Sequence, residues 1–396
     1  MSQAAKPVVR AHRPDYRLLV FMLALMTIGI VMSVAVGVRR AAYMNNTGYL
    51  GYENSYIFLR EQIIAVAMGL GGFIVAAKVS VNKVLLKLAG IWLLGAFLLN
   101  IVLAISVWSG ASLAHCSRGA CRWLDVGPTT IQPAELLKLG LVLFFAMFFA
   151  RRTEEGSVTD LKTILWVIAV AAPALFLVVI VQSDLGSGLS IAAITLVMWL
   201  VAGLKPRMLA IVVAIAAALV GLTILVAPYR MRRITTYLDT ATNPTSILTN
   251  YTDDAYQLRQ AMIAVGSGGL LGVGAGNAVQ ATSYLPEPLS DAVFASLGEV
   301  FGLLGCLIVL VLFGLLGWRL LAIANLLDNT AERLIVAGCF AWLVGQALIN
   351  IMALTALIPL TGVTLPFISS GGTSMLASCV MLGAAFQLSK YTRREQ

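Results

Sequence analysis

The sequence predicts an all-α polytopic membrane protein with about ten transmembrane helices. Of its 396 residues, 60% are hydrophobic and only 11% are charged, and the mean hydropathy is +0.92. Soluble domains carry about twice that share of charged residues. The apolar residues are also gathered into runs of roughly 20, which is the length that a helix needs to cross the hydrocarbon core of a bilayer.

Ten apolar runs are the predicted helices. They cover residues 18–38, 61–79, 84–108, 131–150, 162–181, 185–203, 207–227, 292–317, 332–357 and 364–389. The first run follows a basic tail, residues 1–17, and has no small-residue cleavage site, so we expect a retained helix and not a removed signal peptide. The predicted organisation is therefore a single membrane domain over residues 18–389, followed by a short tail, residues 390–396.

The distribution of basic residues predicts which way the helices run. The two tails and every second loop together hold about twice as many lysines and arginines as the other loops, and such an excess marks the cytoplasmic side. Both termini are then cytoplasmic, and the segment 228–291 is a large extracytoplasmic loop between the seventh and eighth helices. The net charge of +9 follows from this topology and from contact with anionic lipid, so nucleic-acid binding is not indicated.

The large loop combines a helical stretch with a glycine-rich one. Residues 255–263 (AYQLRQAMI) can form an amphipathic turn or two and include Gln257, a candidate substrate ligand; residues 266–276 (GSGGLLGVGAG) are dense in glycine. No predicted strand precedes the glycines, so a nucleotide-binding loop is not indicated. We expect a re-entrant or surface-lying hairpin with a flexible or close-packed turn, because non-helical backbone near the bilayer must be covered by protein or face water.

The five cysteines fall into two groups. Three lie in predicted spans, where we expect small apolar packing residues: Cys306, Cys339 and Cys379. Cys116 and Cys121 share the extracytoplasmic loop between the third and fourth spans, which is consistent with a disulfide in an oxidising compartment. Zinc is the weaker alternative, because His115 is the one imidazole nearby and no second ligand pair exists.

Few acidic residues are placed where they could do chemistry. Asp291 ends the stretch LPEPLSD and runs straight into an apolar run, so its carboxylate lies at the mouth of a membrane helix, where an ionisable group indicates function. Glu135 and Lys138 are three residues apart near the outer start of the fourth span, on one helical face. Their spacing suits a structural ion pair as well as a pair that holds a charged substrate group.

Three further polar features lie on the predicted outer side. Asp184 stands in a very short connection before the sixth span, where helix capping is the favoured role. Arg230 and Arg233, in PYRMRR, suit a bound diphosphate, although a helix end in contact with lipid headgroups is equally consistent. Ser369 and Ser374 are candidate substrate ligands in LPFISSGGTS, whose proline and glycines indicate either a broken helix lining a polar cavity or a packing kink.

These motifs together resemble one known family. Seven of them occur in the order and topological positions of the shape, elongation, division and sporulation family, the FtsW, RodA and SpoVE group of peptidoglycan polymerases: RWLDVGPTTIQPAELLK, QSDLGSG, PYRMRR, YQLRQAMIAVGSGGLLGVGAG, YLPEPLSDAVF, LGEVFGLLG and LTGVTLPFISSGGTS. The resemblance extends from the first span to the last. It implies a ten-span glycosyltransferase of the bacterial cytoplasmic membrane that polymerises lipid II at the outer face and releases undecaprenyl diphosphate.

The resemblance also implies partners and roles. The partner is a class B penicillin-binding protein, accompanied by other divisome or elongasome membrane proteins. The family's essential aspartate corresponds to Asp291, which would take the proton of the acceptor hydroxyl, and its span-four glutamate and lysine correspond to Glu135 and Lys138. Lys138 with Arg230 or Arg233 would meet the charge of the leaving diphosphate. A divalent cation, Mg²⁺ or Mn²⁺, is compatible with this chemistry, although the sequence contains no complete metal cage.

The chain departs from the usual family pattern around Asp291, which itself is intact. Leu289, Ser290 and Ala292 lie in the segment that usually reads LPE-x-HTDF-x-F. Ala281 stands where a lysine is common before that segment, and Ser370 replaces the tyrosine of the usual SYGGSS. We read divergence and not loss of activity.

Two other classes of function share these features. A transporter that flips lipid-linked precursors also uses broken helices and a polar cavity, but it predicts paired repeats and charges near the midplane, whereas the ionisable groups here cluster at the outer face. A non-catalytic scaffold for a partner synthase is favoured only if the altered residues around Asp291 abolish activity. Within the family, GIVMS at 29–33 and LPF at 365–367 slightly favour the division branch.

Overall fold

Helices make up most of this computed structural model, which describes residues 11–48, 55–111, 113–117, 120–127, 129–205, 207–214 and 253–393 and isolated positions between 221 and 238. In chain order the helices are α1 (Tyr16–Asn46), α2 (Ile57–Lys78), α3 (Ala89–Ser109), α4 (Pro133–Glu154), α5 (Leu161–Val181), α6 (Leu185–Val201), α7 (Asp253–Ser267), α8 (Val293–Leu326), α9 (Thr330–Leu354) and α10 (Gly372–Leu388). Within the described residues, eight helices are long and apolar enough to cross a membrane, and α6 is apolar but shorter. The prediction of a helical multi-pass membrane protein is confirmed.

The helix ends differ from the predicted ends at both extremes of the chain. The first helix continues to Asn46, past the predicted end at residue 38, through a π-helical turn at Ser33–Gly37. The last helix begins at Gly372 and not at residue 364. Pro366 has no amide to continue a helix, and Phe367 has a φ of 65°, so the entry to this span is non-helical. Most of the predicted seventh span lies outside the described residues, although residues 207–214 are helical.

Three helices form the centre of the bundle. In α4, α9 and α10 the apolar window is 78% buried, whereas it is only 22% buried in α2 and α5. The outer helices therefore present apolar side chains to their surroundings, and polar side chains are tolerated in the central ones, where they can find partners. The functional site is built on this centre.

A small sheet precedes α4 and was not predicted. Its three antiparallel strands are β1 (Ala114–Ser117), β2 (Ala120–Val126) and β3 (Thr129–Ile131). Cys116 and Cys121 face each other across β1 and β2 and are joined by a disulfide. The predicted fourth span began at residue 131; the last strand takes that position, so the helix starts at Pro133.

The helix α8 is broken at Gly302, and the glycine-rich stretch fills the break. Gly302 has φ 64° and ψ −160°, which removes regular helical hydrogen bonds. Four backbone hydrogen bonds of 2.9–3.1 Å replace them: Val273 and Gly274 donate to Glu299 and Val300, and Leu303 and Leu304 donate to Gly269 and Leu270. A Cβ on Gly272 would lie 2.1 Å from the carbonyl oxygen of Val300. The glycines are thus a close-packed turn, which satisfies backbone groups that a bilayer cannot.

The described ends of the chain meet on one side of the bundle. The backbone amide of His12 donates to the carbonyl of Lys390 at 2.9 Å. Asp15, just before α1, forms an ion pair with Arg319 near the end of α8. Both described ends therefore lie on the same side, which is consistent with an even number of membrane spans.

Candidate functional site

A polar cavity of about 320 Å³ lies where four helices begin. Residues at or next to the starts of α4, α6, α8 and α10 line it: Gln132, Glu135, Ser187, Asp291, Gly372 and Thr373. The sheet and residues 360–364 complete the wall. A helix N-terminus carries unpaired amides and the positive end of the helix dipole. Four such ends around one cavity favour an anionic ligand.

Asp291 lies in the cavity wall immediately before α8. Its backbone carbonyl accepts a hydrogen bond from Nδ2 of Asn350 at 2.7 Å. A Cβ added to Gly362 would lie 3.5 Å from Oδ2 of Asp291 and 3.1 Å from Nη1 of Arg122. Gly362 also has a φ of 69°, which favours glycine. The missing side chain therefore lets a carboxylate and a guanidinium approach the same part of the cavity.

Arg122 is the permanent cation among the described residues that line the cavity. Its Nη2 donates to the carbonyl of Ser183 at 3.1 Å and its Nη1 to the carbonyl of Gly362 at 3.4 Å. Its Nε lies 3.9 Å from Oδ2 of Asp184. A guanidinium held in this way presents a fixed fork of donors, which suits a phosphate. We did not select Arg122 from the sequence, although it stands in the motif RWLDVG; it counted only as an outer-loop charge.

Glu135 and Lys138 are paired, but their order relative to the cavity is the reverse of the expected one. Nζ of Lys138 donates to Oε1 of Glu135 at 2.7 Å and to Oε1 of Gln346 at 2.6 Å. It also lies 4.9 Å from the centre of the Trp342 ring. Lys138 is fully buried behind the wall, whereas Glu135 lines the cavity. Of the two residues, Glu135 and not Lys138 therefore lines the cavity, and two oxygens and an aromatic face enclose the ammonium group of Lys138.

A chain of polar groups runs from Lys138 back to the cavity. Nε2 of Gln346 donates to the carbonyl of Thr364 at 2.9 Å, and the hydroxyls of Thr364 and Ser374 lie 2.8 Å apart. Thr364 and Ser374 both line the cavity. Gln346 was missed in the sequence analysis; the available signal was an amide inside an apolar span.

The remaining predicted substrate ligands differ in their position relative to the cavity. Gln257, on α7, lines the cavity. Ser369 is not in the lining: its hydroxyl accepts from the amide of Leu365 at 2.8 Å and donates to the carbonyl of Ser290 at 2.6 Å. Arg230 and Arg233 lie outside the described residues.

Asp184 holds the start of α6 and the wall beside it. Its Oδ1 accepts from the backbone amide of Ser187 at 3.0 Å, and its Oδ2 accepts from the Ser187 hydroxyl at 2.8 Å. The same oxygen accepts from Nε2 of Gln132 at 3.4 Å. Asp184 is therefore the N-cap of α6, and it also ties Arg122 to the two helix starts.

The acidic residues of the cavity do not form a metal cage. Glu135, Glu287 and Asp291 all line it. In the part of the chain that the structure describes, however, no three His, Cys, Asp or Glu side chains come together in a group that could hold a metal ion. Mg²⁺ usually binds through one or two carboxylates and substrate phosphates, so an ion brought by a diphosphate is compatible with these residues. The positively charged features at the cavity are Arg122 and the helix N-termini, which lie beside these carboxylates.

Comparison with known proteins assigns the chain to a family. The family model for the cell cycle proteins FtsW, RodA and SpoVE matches residues 16–394. The chain belongs to this family. Stage V sporulation protein E of Bacillus subtilis is 32% identical over 391 residues, which cover 96% of this chain and 98% of that protein. A probable peptidoglycan glycosyltransferase FtsW of Tolumonas auensis is 34% identical and covers 92% of this chain and 88% of its own length.

Two solved structures share the fold. A chain of a peptidoglycan synthase complex in which polymerization and crosslinking are coordinated has a TM-score of 0.73 at 24% identity, over 95% of this chain and 97% of its own length. RodA of Thermus thermophilus has a TM-score of 0.65 at 24% identity, over 96% and 98%. The family fold therefore extends over nearly the whole chain.

Two positions that depart from the FtsW/RodA/SpoVE pattern, Ala281 and Ser370, contact neighbouring segments through their backbone amides. The amide of Ala281 donates to Oε2 of Glu299 at 2.7 Å. The amide of Ser370 donates to the carbonyl of Leu289 at 2.8 Å. Neither contact uses the side chain that differs, so the wall around Asp291 keeps these anchors despite the altered residues.

Proposed function

We propose that this protein is a peptidoglycan glycosyltransferase that polymerises lipid II into glycan strands and releases undecaprenyl diphosphate. The observation that carries the proposal is a carboxylate, Asp291, in a cavity that also holds Arg122 and the starts of four helices. Relatives similar over nearly the full length are named as probable peptidoglycan glycosyltransferases. These names support the same reaction class for this chain.

The cavity offers the two groups that the reaction needs. The acceptor hydroxyl attacks the anomeric carbon of the donor sugar, its proton passes to the carboxylate of Asp291, and the bond from that carbon to the diphosphate oxygen breaks. The diphosphate leaves as an anion and needs no proton, so its charge must be met by fixed donors. Arg122 is such a donor, and the starts of α4, α8 and α10 add the positive ends of their helix dipoles at the cavity. Asp291 and Arg122 thus divide the chemistry between them.

The polar wall suits the sugar part of the substrate. Glu135, Gln257 and Ser374 line the cavity, and Oε2 of Glu135 has no hydrogen-bond partner among the described residues. This oxygen is buried in the wall and keeps an unused acceptor, and we propose that a hydroxyl or amide donor of a bound sugar satisfies it. From the sequence, Arg230 and Arg233 stay as proposed further ligands of the diphosphate.

The proposed setting is the bacterial cytoplasmic membrane, with the cavity at the outer face and both termini inside. The excess of lysine and arginine on the opposite side of the bundle supports this orientation. We propose a class B penicillin-binding protein as partner, within the division or elongation machinery. The likeness to a chain of a peptidoglycan synthase complex is consistent with that partner.

The test is a polymerisation assay with labelled lipid II, with and without the cognate transpeptidase. We expect glycan chains from the wild-type protein, and we expect Asp291→Asn to lower their formation by about 10²–10⁴-fold, because the amide keeps the shape but cannot accept the proton. Expression and partner binding should stay near the wild-type level. Translocation without polymerisation would identify a transporter, and neither activity would identify a scaffold. Substantial polymerisation by Asp291→Asn would remove Asp291 from the role of base.

A further inference from the structure

The loop that carries Asp291 is held by its backbone carbonyls. Four consecutive carbonyls each accept one hydrogen bond from a residue outside the loop. Pro288 accepts from Oγ of Ser296 at 2.7 Å, Leu289 from the amide of Ser370 at 2.8 Å, Ser290 from Oγ of Ser369 at 2.6 Å and Asp291 from Nδ2 of Asn350 at 2.7 Å. These donors come from α8, from the non-helical entry to α10 and from α9. Three separate segments therefore converge on the backbone of one short loop.

Asn350 serves this loop through its donors. Its Nδ2 donates to the carbonyl of Asp291 at 2.7 Å and to the carbonyl of Val363 at 2.6 Å. Its Oδ1 is buried and has no hydrogen-bond partner among the described residues. A buried amide oxygen without a partner carries a desolvation cost, so the two donated bonds are the reason that an amide, and not an apolar residue, fits this position in a central helix.

Ser369 has its hydroxyl fully engaged. It accepts from the amide of Leu365 and donates to the carbonyl of Ser290. Ser369 is 4% exposed and does not line the cavity. The sequence analysis placed it among the substrate ligands, but its contacts point to a different role, which is to join the entry of α10 to the loop.

The loop itself contains an unfavourable turn. Glu287 has a φ of 47°, and its carbonyl accepts from the amides of Ser290 and Ala292 at 3.1 and 3.2 Å. A non-glycine residue in this region persists only where the surroundings over-determine it. The external hydrogen bonds supply that constraint, because they fix the backbone on the far side of the turn.

We propose that Asn350 and Ser369 are positioning residues, which fix the carbonyls of residues 290 and 291 and thereby aim the carboxylate of Asp291 into the cavity beside Arg122. The proposal rests on the proposed function, in which Asp291 is the base. A base that is misplaced by about 1 Å can lose on the order of 10²-fold in rate, even when the change lies away from the reacting atoms. The substrate contacts are made by other residues, so binding should be spared.

The experiment compares Ser369→Ala, Asn350→Ala and Asp291→Asn in the full-length protein with its cognate transpeptidase, by steady-state lipid II polymerisation. For Ser369→Ala and Asn350→Ala we expect kcat to fall by about 10–100-fold with KM within about twofold of wild type. Ser369→Thr retains the hydroxyl and should recover most of kcat. The matched control is Ser378→Ala, which removes a buried serine hydroxyl that has no hydrogen-bond partner among the described residues and should leave kcat unchanged.

The outcomes separate the two proposals. If Asp291→Asn is inactive but Ser369→Ala and Asn350→Ala keep the wild-type kcat, the positioning role is wrong and the proposed function stands. Asp291→Asn retaining activity, or a wild-type protein that makes no glycan, would overturn both. A rise in KM with unchanged kcat would instead return Ser369 to the substrate ligands. If Asn350→Ala does not accumulate, the serine series decides, since it removes a single hydroxyl.

Discussion

The protein interrupts its helices at two places close together in the chain, and it supports the two interruptions in different ways. In the loop before α8, three of the four carbonyls of residues 288–291 are held by side chains of other segments. At Gly302, the break is filled by the backbone of the glycine-rich stretch 268–274. Side-chain donors leave room for a cavity, whereas backbone contact between glycines leaves none. The first arrangement suits chemistry and the second suits packing.

Glu299 ties the two interruptions together. Its carboxylate accepts from the amides of Gln280 and Ala281 at 2.9 and 2.7 Å, on the chain that leads to Asp291. Its backbone carbonyl accepts from Val273 in the glycine-rich stretch at 2.9 Å. Glu299 therefore holds both the glycine-rich stretch and the segment that follows it against α8. Changes in the packed region should lower the amount of folded protein, while changes at the loop should lower turnover.

The largest expected effect follows from filling the packed region. Gly272→Ala places a Cβ about 2.1 Å from the Val300 carbonyl oxygen, at a residue whose φ is +81°. Neither partner is a flexible side chain, so we expect a loss of about 2–5 kcal/mol in unfolding free energy. The measurement is the yield of protein in membranes and its thermal unfolding in detergent.

A control on the same hairpin sharpens this result. Gly266 is in α7, and a Cβ there meets nothing within 4 Å. Gly266→Ala should therefore keep wild-type yield, because alanine is the better helix residue. A normal yield and melting temperature for Gly272→Ala would show that the break at Gly302 does not depend on close glycine packing, and would remove the contrast between the two regions.

For the packed region, the sequence predicted the helices but not how the glycine-rich stretch packs against them. Hydropathy located the spans because the bilayer dictates their length and polarity. It could not reveal that residues 268–274 lie in the break of α8, since that contact is made by backbone atoms, which every residue shares. The glycines of this stretch were the available signal, and they were compatible with a flexible turn as well as a close-packed one.

The sequence predicted the acidic residues of the cavity but not the residues that hold them in place. Asp291 and Glu135 stood out because carboxylates are rare at the ends of apolar runs. Asn350 was equally readable as a polar residue in a span, but its partner, a backbone carbonyl of the loop, leaves no trace in sequence. Lys138 was expected to face the substrate; helical spacing places it on the same face as Glu135 but does not say which of the two lies nearer the cavity.

An effect of similar size concerns the ion pair of Glu135 and Lys138, which lies between the cavity and the packed core. Lys138→Met strands the buried carboxylate, so we expect a loss of about 3–5 kcal/mol and low yield. Glu135→Gln strands the buried ammonium group but leaves it Oε1 of Gln346 and an amide oxygen, so we expect a smaller loss of yield, with less polymerisation because the cavity loses its acceptor charge. The double change should restore yield. The measurements are membrane yield and lipid II polymerisation of each variant.

The double variant of this pair decides between structure and function. If Glu135→Gln with Lys138→Met folds well and also polymerises at the wild-type rate, the pair is only structural and the cavity-facing role of Glu135 is wrong. If it folds well and remains inactive, at least one of the two charges acts on the substrate, and a folded but impaired Glu135→Gln single variant assigns that role to Glu135. A low yield of the double variant with normal single variants would contradict the close pairing seen between Nζ and Oε1 at 2.7 Å.

The smallest expected effect concerns the disulfide between Cys116 and Cys121, which closes the sheet beside the cavity. The loop that it closes is short, so the bond should contribute about 2 kcal/mol, and only to the order of β1 and β2. Those strands carry His115, Arg122 and Trp123 into the cavity wall, while α4, α9 and α10 are held by their own packing.

For the double change Cys116→Ser with Cys121→Ser we therefore expect wild-type yield, a kcat within about twofold and a KM raised by less than about tenfold. Wild-type protein treated with reductant should behave in the same way, and the double variant should not respond to reductant at all. Alkylation of both thiols in non-reduced protein would show that the bond is absent, and a collapse in yield as large as that of Gly272→Ala would place the sheet with the packed region instead of the cavity.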